Sequence, residues 1–237
     1  MIFGLQFAQA AEVAQDTIMS ITEPVVEGIN VWDLAVKGGW IMLVLLLLSV
    51  VGVYIFFERF SALRKAMKRN PLFMERINDN ILEDDVKSAV NYCRHENTPV
   101  SRIVEKGLKN FDLSATAIRE TVNNSANLEI ALLEKGMPIL STIAAIAPMI
   151  GFLGTVTGMV QAFWQMANAG NNIDVSLLSG GIYEAMITTV GGLIVGIVAL
   201  FSYNYLVTMV DKVQNDVEAQ MIAFMQIVHG KKDNKQE

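Results

Sequence analysis

Residues 137–164 read MPILSTIAAIAPMIGFLGTVTGMVQAFW, a stretch without one charged side chain. A helix of about 20 predominantly apolar residues crosses the roughly 30 Å hydrocarbon core of a bilayer. Two further stretches pass the same test, since 39–57 carries no charge and 182–210 carries only Glu184, near its start. The sequence therefore predicts an all-α membrane protein with three transmembrane helices.

The composition of the whole chain agrees with this class. Of the 237 residues, 52% are hydrophobic and 18% are charged, whereas an ordinary soluble domain has about 25% charged residues. The net charge of −6 argues against nucleic acid as a partner. Cys93 is the only cysteine, so the chain cannot form an internal disulfide.

Basic residues indicate the orientation of the spans, because Lys and Arg accumulate on the cytoplasmic side. Residues 1–38 hold one base and five acids, whereas five bases lie between Arg59 and Arg69, just after the first span. This pattern predicts an outside N-terminus and a cytoplasmic C-terminus. The predicted segments are extracytoplasmic 1–38, transmembrane 39–57, cytoplasmic 58–136, transmembrane 137–164, an extracytoplasmic loop 165–181, transmembrane 182–210 and a cytoplasmic helix and tail 211–237.

The N-terminal segment has two interpretations. Residues 7–10 read FAQA, which resembles a signal-peptide cleavage site, but no basic region precedes it and its apolar stretch is short. We therefore expect an amphipathic helix that lies along the extracytoplasmic surface of the membrane, with a truncated signal peptide as the alternative.

The cytoplasmic segment has a helical pattern. Residues 58–70 continue the first helix until Pro71 breaks it, and a second helix is predicted from the acids at 83–85 to His95. These elements predict long helical extensions of the membrane spans and a small helical domain beside them.

Capping residues define the next helices. Thr98 fits an N-cap with Pro99 in the first turn, and Ser114 fits a second N-cap. The helix from Ser114 meets no strong breaker before 136–138, so it is predicted to run into the second span, with a kink there. Residues 211–228 are predicted to extend the third span into the cytoplasm.

The residue combinations that enzymes need are absent from the sequence. His95 and His229 lie far apart, and Cys93 with His95 finds no further ligands for a metal. The glycines at 151, 154 and 158 are not followed by the Gly-Lys-Ser/Thr of a phosphate-binding loop. The sequence thus predicts no enzyme activity, no cofactor and no metal.

Small residues in the second and third spans indicate close helix packing. The pairs Gly154-x-x-x-Gly158 and Gly192-x-x-x-Gly196 have the spacing that lets two helix backbones approach each other.

Polar residues in the same two spans predict a pathway for ions. Glu184 is an ionisable residue within a span, where such a residue is costly and usually faces a partner or water. Thr155 lies about 13 Å inward from Trp164, and Thr189 about 10 Å inward from Ile182, so the two threonines reach similar depth. A threonine does not titrate near neutral pH, so a partner chain is expected to bring the titratable group to this depth.

These residues form motifs that resemble the ExbB/TolQ/MotA proton-channel superfamily, and within it the ExbB–TolQ branch. The run 147–158, APMIGFLGTVTG, is similar to the family's A/S-P-x-x-G-L-x-G-T-V-x-G. The run 181–193, GIYEAMITTVGGL, is similar to G-I-x-E-A-L-x-x-T-A-x-G-L, and Tyr203-Asn204 follows as in the family. The three-span layout agrees over nearly the whole chain.

The resemblance implies an ExbB-like subunit of the bacterial inner membrane. Such subunits form homo-pentamers whose second and third helices line a central pore. The pore holds an ExbD- or TolR-like single-span protein with a titrating aspartate, and proton flow drives work on a TonB- or TolA-like protein for outer-membrane import. By motif, Thr155 and Thr189 would face that aspartate, and Glu184 would lie near the mouth of the pore.

Some choices remain open at this level. Helical geometry puts Thr188 on the face of Glu184 and turns Thr189 about 140° away, so Thr189 ranks first by motif and Thr188 second by geometry. A TolQ-like role in envelope integrity and a non-conducting membrane scaffold are the alternative functions. Protons rather than sodium ions are expected by family analogy.

Overall fold

The computed structural model describes residues 39–68, 70–168 and 175–233, and for residues 175–178 and 233 it describes the backbone only. This part of the chain contains seven helices and no strand. The helices are α1 Gly39–Ala66, α2 Phe73–Leu82, α3 Val86–Glu96, α4 Pro99–Lys109, α5 Ala115–Glu134, α6 Met137–Asn168 and α7 Val175–Asp233. The predictions for the N-terminal segment 1–38, for 169–174 and for the tail 234–237 lie outside the described residues.

Three of the helices are long and apolar enough to cross a membrane, as the sequence predicts. They are α1, α6 and the part of α7 from Ser179 to Lys232. Both α6 and α7 extend into the predicted loop 165–181, so the helix ends do not mark the membrane surface. Large apolar side chains such as Phe152 and Phe201 point outward from this bundle, which suits contact with lipid or with other membrane helices.

The three long helices pack around a shared apolar core. Its largest fully buried side chains include Leu45 and Leu63 from α1, Leu140 from α6 and Leu206 from α7. These residues come from widely separated parts of the chain, and their burial holds α6 and α7 side by side.

A second core lies beyond the apolar spans, where α2 to α5 pack on the last part of α7. Phe224 of α7 is completely buried there together with Ile103 of α4 and Ile118 of α5. The extension predicted over 211–228 is confirmed, because α7 continues for 59 residues, about 90 Å, from the membrane span into this domain.

The predicted N-caps are confirmed. Thr98 and Ser101 form a reciprocal capping box at the start of α4, with Pro99 in its first turn. The Ser114 hydroxyl accepts from the Ala117 amide at the start of α5. A further N-cap, which was not predicted, is Asp85, whose carboxylate accepts from the Ser88 amide at the start of α3. Each cap satisfies an amide that the helix itself leaves without a partner.

The structure corrects three helix boundaries. The first helix ends at Ala66 rather than at Asn70, and a helix that the sequence analysis missed, α2, follows Pro71. The helix from Ser114 does not run into the second span, because Gly136 adopts a φ of +87° and separates α5 from α6. The left-handed backbone at Gly136 breaks the helix rather than kinking it.

Candidate functional site

Glycines bring the backbones of α6 and α7 into direct contact. A Cβ on Gly192 would lie 2.6 Å from the Ala147 carbonyl oxygen and 2.8 Å from the Cα of Gly151. Farther along the two helices, Gly158 lies against Ala185, and Gly196 lies against Pro148. Because side chains larger than hydrogen would push the helices apart, the glycines hold the backbone polar groups of α6 within reach of α7.

The close approach joins Thr155 of α6 to Thr189 of α7. Their hydroxyl oxygens are in contact, and the Thr189 hydroxyl donates to the Gly151 carbonyl at 3.0 Å. The contact agrees with the similar depth predicted for the two threonines from helix rise. Gly151 thus serves the site twice, as the point of closest packing and as a hydrogen-bond acceptor, and the sequence analysis gave it no role.

The donors and acceptors of the Thr155 and Thr189 hydroxyls determine what the pair can bind. A hydroxyl has one hydrogen to donate and two lone pairs to accept with. The Thr155 hydroxyl has acceptors in the Thr189 hydroxyl and, at 3.4 Å, in the Gly151 and Ala185 carbonyls, so both hydroxyl hydrogens find acceptors within the protomer. With Thr189 donating to Gly151, the Thr155 oxygen keeps lone pairs free, and both side chains are half-buried rather than enclosed. The pair therefore offers acceptor capacity to a hydrogen-bond donor, such as a protonated carboxyl group, that reaches it from outside the protomer.

Thr188 is separated from this pair. Its side chain is 2% exposed and lies against Gly154, in the contact between α6 and α7. Its hydroxyl donates to the Ala185 carbonyl of its own helix at 2.7 Å. Thr188 therefore fills the space that Gly154 leaves open, whereas Thr189, one residue further along, reaches the partly exposed edge of the helix pair.

Glu184 lies on the Thr188 side of α7, as helical geometry predicts. It borders an open cavity of about 360 Å³ between α6, α7 and the start of α1. Its carboxylate comes so close to Gly39 that a Cβ there would be 2.9 Å from Oε1. The structure thus places Glu184 at the first turn of α1 and away from the Thr155–Thr189 pair.

Three further polar residues border the same cavity, and none of them was predicted as a site residue. Thr157, Gln161 and Gln165 lie on α6 and line the cavity together with Glu184. Their spacing of four residues places them on one helix face, and this regular spacing was a signal that could have revealed them.

The described residues include no group of three His, Cys, Asp or Glu side chains that could hold a metal ion. Cys93 is buried in the core of the helical domain, and this burial raises the pKa of its thiol to about 12. A thiol with such a pKa is protonated at neutral pH and is a poor metal ligand.

The fold and the site define a class: an α-helical membrane protein whose second and third apolar helices carry a pair of hydroxyls at their closest approach. The sequence profile of the MotA/TolQ/ExbB proton channel family matches residues 95–219, which include the threonine pair and Glu184. The chain belongs to this family, which is a family of channel and transport proteins rather than of enzymes.

Relatives from several organisms are similar over most of the chain. A putative ExbB-like biopolymer transport protein of Synechocystis sp. is 32% identical over 181 residues, which are 75% of this chain and 70% of the relative. The Tol-Pal system protein TolQ of Haemophilus influenzae is 28% identical over 85% of this chain and 94% of its own length. The biopolymer transport protein ExbB of Neisseria meningitidis is 27% identical, over 70% of this chain and 80% of the relative.

Proposed function

We propose that this chain is an ExbB-like stator subunit of an inner-membrane complex that uses the proton motive force. The observation that carries the proposal is the contact between Thr155 and Thr189, which leaves acceptor capacity open at the edge of the α6–α7 pair. An aspartate on a single-span ExbD- or TolR-like partner would supply the titrating group. The work would be passed to a TonB-like protein for outer-membrane import.

The proposed orientation keeps the segments given by the sequence. Segment 1–38 and loop 165–181 face the periplasm, 58–136 and 211–237 face the cytoplasm, and the bilayer surrounds the three spans. The exposed bases Arg64 and Lys65 in the last turn of α1 support this orientation, because they would lie at the cytoplasmic headgroups.

The proposed pore forms between copies of the chain. Thr155 and Thr189 are both half-buried and lie at an edge of the helix pair. In a homo-oligomer, for which the family resemblance implies a pentamer, this edge would face the central axis and the apolar face of α1 would face lipid. Glu184 would be a polar residue near the mouth, and Thr188 would support the site through its packing on Gly154.

The chemistry proposed for the threonine pair is proton-state recognition. A protonated aspartate donates a hydrogen bond, and a Thr155 lone pair accepts it. An ionised aspartate has no hydrogen to donate, and the hydrogen of the Thr155 hydroxyl already has acceptors within the protomer, in Thr189 and in the Gly151 and Ala185 carbonyls. The site would therefore hold the neutral aspartate more firmly than the charged one, and proton loss would release it to move.

Substitution of each threonine by valine tests the proposal, since valine keeps the shape and removes the hydroxyl. Thr155→Val and Thr189→Val should each abolish proton-driven import in cells while leaving the amount of assembled complex unchanged. Thr142→Val is the matched control, because the exposed Thr142 hydroxyl donates to the Pro138 carbonyl of its own helix, away from the α6–α7 contact. Normal import in both pore variants would refute a conducting role and favour the scaffold.

The TolQ-like role is a second candidate because the Haemophilus TolQ covers more of this chain than the ExbB relatives described above. A deletion strain separates the two roles. Loss of TonB-dependent uptake supports the ExbB-like role, whereas detergent sensitivity with normal uptake supports the TolQ-like one. Proteoliposomes with the partner should show proton flux, and transport that requires sodium would contradict the proposed ion.

A further inference from the structure

An apolar groove runs between α5 and α7, outside the membrane spans. Two adjoining cavities of about 630 and 440 Å³ share Asn123, Glu218 and Met221 in their linings, so they form one continuous groove. Methionines and aliphatic side chains make up its floor, and Ile222 on its border is 63% exposed. An exposed apolar groove rimmed by polar residues is the usual form of a protein–protein contact surface.

A ridge of two leucines lies on the other edge of the exposed face of α5. Leu128 and Leu132 are 58% and 56% exposed and lie one turn apart. At about 100° per residue, Leu128 is turned about 60° from Ala131, about 100° from Asn127 and about 160° from Ile130, which all line the groove on the same side of the ridge. The leucine ridge and the groove are therefore separate surfaces, one on each edge of the same helix.

The ridge and the groove lie at the same height along α5. The groove extends on this helix from Arg119 to Glu134, and Leu128 and Leu132 fall within that range. Copies of a membrane protein sit at equal depth in the bilayer, so contacts between them join surfaces of equal height. Two different surfaces at equal height give a head-to-tail contact, which closes into a ring when the rotation permits.

Charges at the end nearest the membrane match this arrangement. Lys135 is exposed and follows the leucine ridge at about 20° from the direction of Leu128. Glu134 lines the groove at this same end, whereas Glu218 lies where the two cavities join. A ridge that enters the groove of the next copy therefore brings an ammonium group toward the Glu134 carboxylate.

We propose that the leucine ridge of one copy inserts into the α5–α7 groove of the next copy, and that this contact organises the ring outside the membrane. The proposal rests on the homo-oligomer proposed above and names the surfaces that form it. Each copy uses its ridge on one side and its groove on the other, so every copy in the ring makes the same two contacts.

Cysteine cross-linking between two tagged forms of the full chain tests this contact. One form carries Leu128→Cys and the other carries Asn127→Cys, and both are co-expressed in membranes and treated with a short bismaleimide. The native Cys93 stays in place, because its buried, protonated thiol does not react, and the parent chain checks this. A cross-link between the two tags is expected in most of the mixed complexes.

Two controls and a mass measurement complete the test. Lys106→Cys on the exposed surface of α4, paired with Asn127→Cys, should give at least tenfold less product. A dominant Leu128→Cys self-cross-link would overturn the proposal in favour of a symmetric pair, and cross-linking of Asn127→Cys to another protein instead would assign the groove to that partner. Native mass spectrometry separates the two levels: an oligomer without the cross-link refutes these surfaces only, whereas a monomer also refutes the proposed pore.

Discussion

Replacement of Gly192 by alanine tests whether backbone contact between α6 and α7 stabilises the membrane bundle. The new Cβ would lie 2.6 Å from the Ala147 carbonyl oxygen and 3.0 Å from the Gly151 nitrogen, and both neighbours are backbone atoms that cannot rotate away. To restore an ordinary contact of 3.4 Å, the helices must separate by about 0.8 Å, a gap that forfeits roughly a quarter to a half of each dispersion contact it opens.

The expected loss of stability follows from two opposing effects. Overpacking of this kind costs about 1–3 kcal/mol, here toward the upper end because rigid backbone is involved. Alanine regains about 1 kcal/mol through its higher helix propensity. The net destabilisation of about 1–2 kcal/mol corresponds to a decrease of roughly 2–8 °C in Tm for a chain of this size.

The assay is thermal unfolding of the purified protein in mild detergent, followed by circular dichroism. Gly180→Ala is the matched control on the same helix, because a Cβ there meets nothing within 4 Å. Helix propensity alone should then leave Tm unchanged or raise it by up to about 4 °C. Equal Tm values for Gly192→Ala and Gly180→Ala would contradict a stabilising contact between the backbones of α6 and α7.

Three further predictions concern individual contacts. Gly154→Ala should destabilise the bundle because its Cβ would overlap the Thr188 side chain, and addition of Thr188→Ala should restore part of the lost Tm; an additive loss in the double variant would contradict this. Arg102→Met should lower the unfolding free energy by about 2–3 kcal/mol, because it leaves the buried carboxylate of Glu129 without its cation. Addition of Glu129→Leu should restore most of the lost unfolding free energy in the same assay. Hydrogen bonds from Lys109 and Arg94 lower the pKa of Glu105 below its ordinary value of 4.5. The ionised Glu105 carboxylate therefore stabilises the fold above pH 4.5, and this stabilisation is lost on further acidification. The pH profile of Tm should be flatter in Glu105→Gln.

Features set by local chemistry could be predicted from the sequence. The three spans follow from long runs without charge, and the caps at Thr98 and Ser114 follow from side chains that bond to amides three residues away. The similar depth of Thr155 and Thr189 follows from helix rise alone. Each of these features depends only on distances along one helix or on the thickness of the bilayer.

Features set by contacts between distant segments could not be predicted in this way. Thr188 and Thr189 are chemically identical neighbours, and their different exposure depends on how α7 is rotated against α6. Near the end of α5, the Arg59 guanidinium of α1 donates to the Leu132 carbonyl, and a contact between segments this far apart is not visible in the local sequence. The helix α2 was within reach, since Phe73, Ile77 and Ile81 repeat every four residues.

The hydrogen bonds of the threonine pair account for how one protomer could be stable before it meets a partner. A hydroxyl without an acceptor costs about 1–3 kcal/mol when fully buried, but the hydroxyl hydrogens of the half-buried Thr155 and Thr189 both have acceptors within the chain. In the proposed complex, a partner's carboxyl group would bind through the free acceptor side without breaking either bond. Its net gain would be one hydrogen bond of about 1 kcal/mol, which is weak enough to be made and released repeatedly. The glycine contact that fixes this geometry would then serve both the stability of the protomer and the reversibility of the proposed binding, because it leaves the hydroxyl hydrogens satisfied within the protomer and a lone pair open toward a donor.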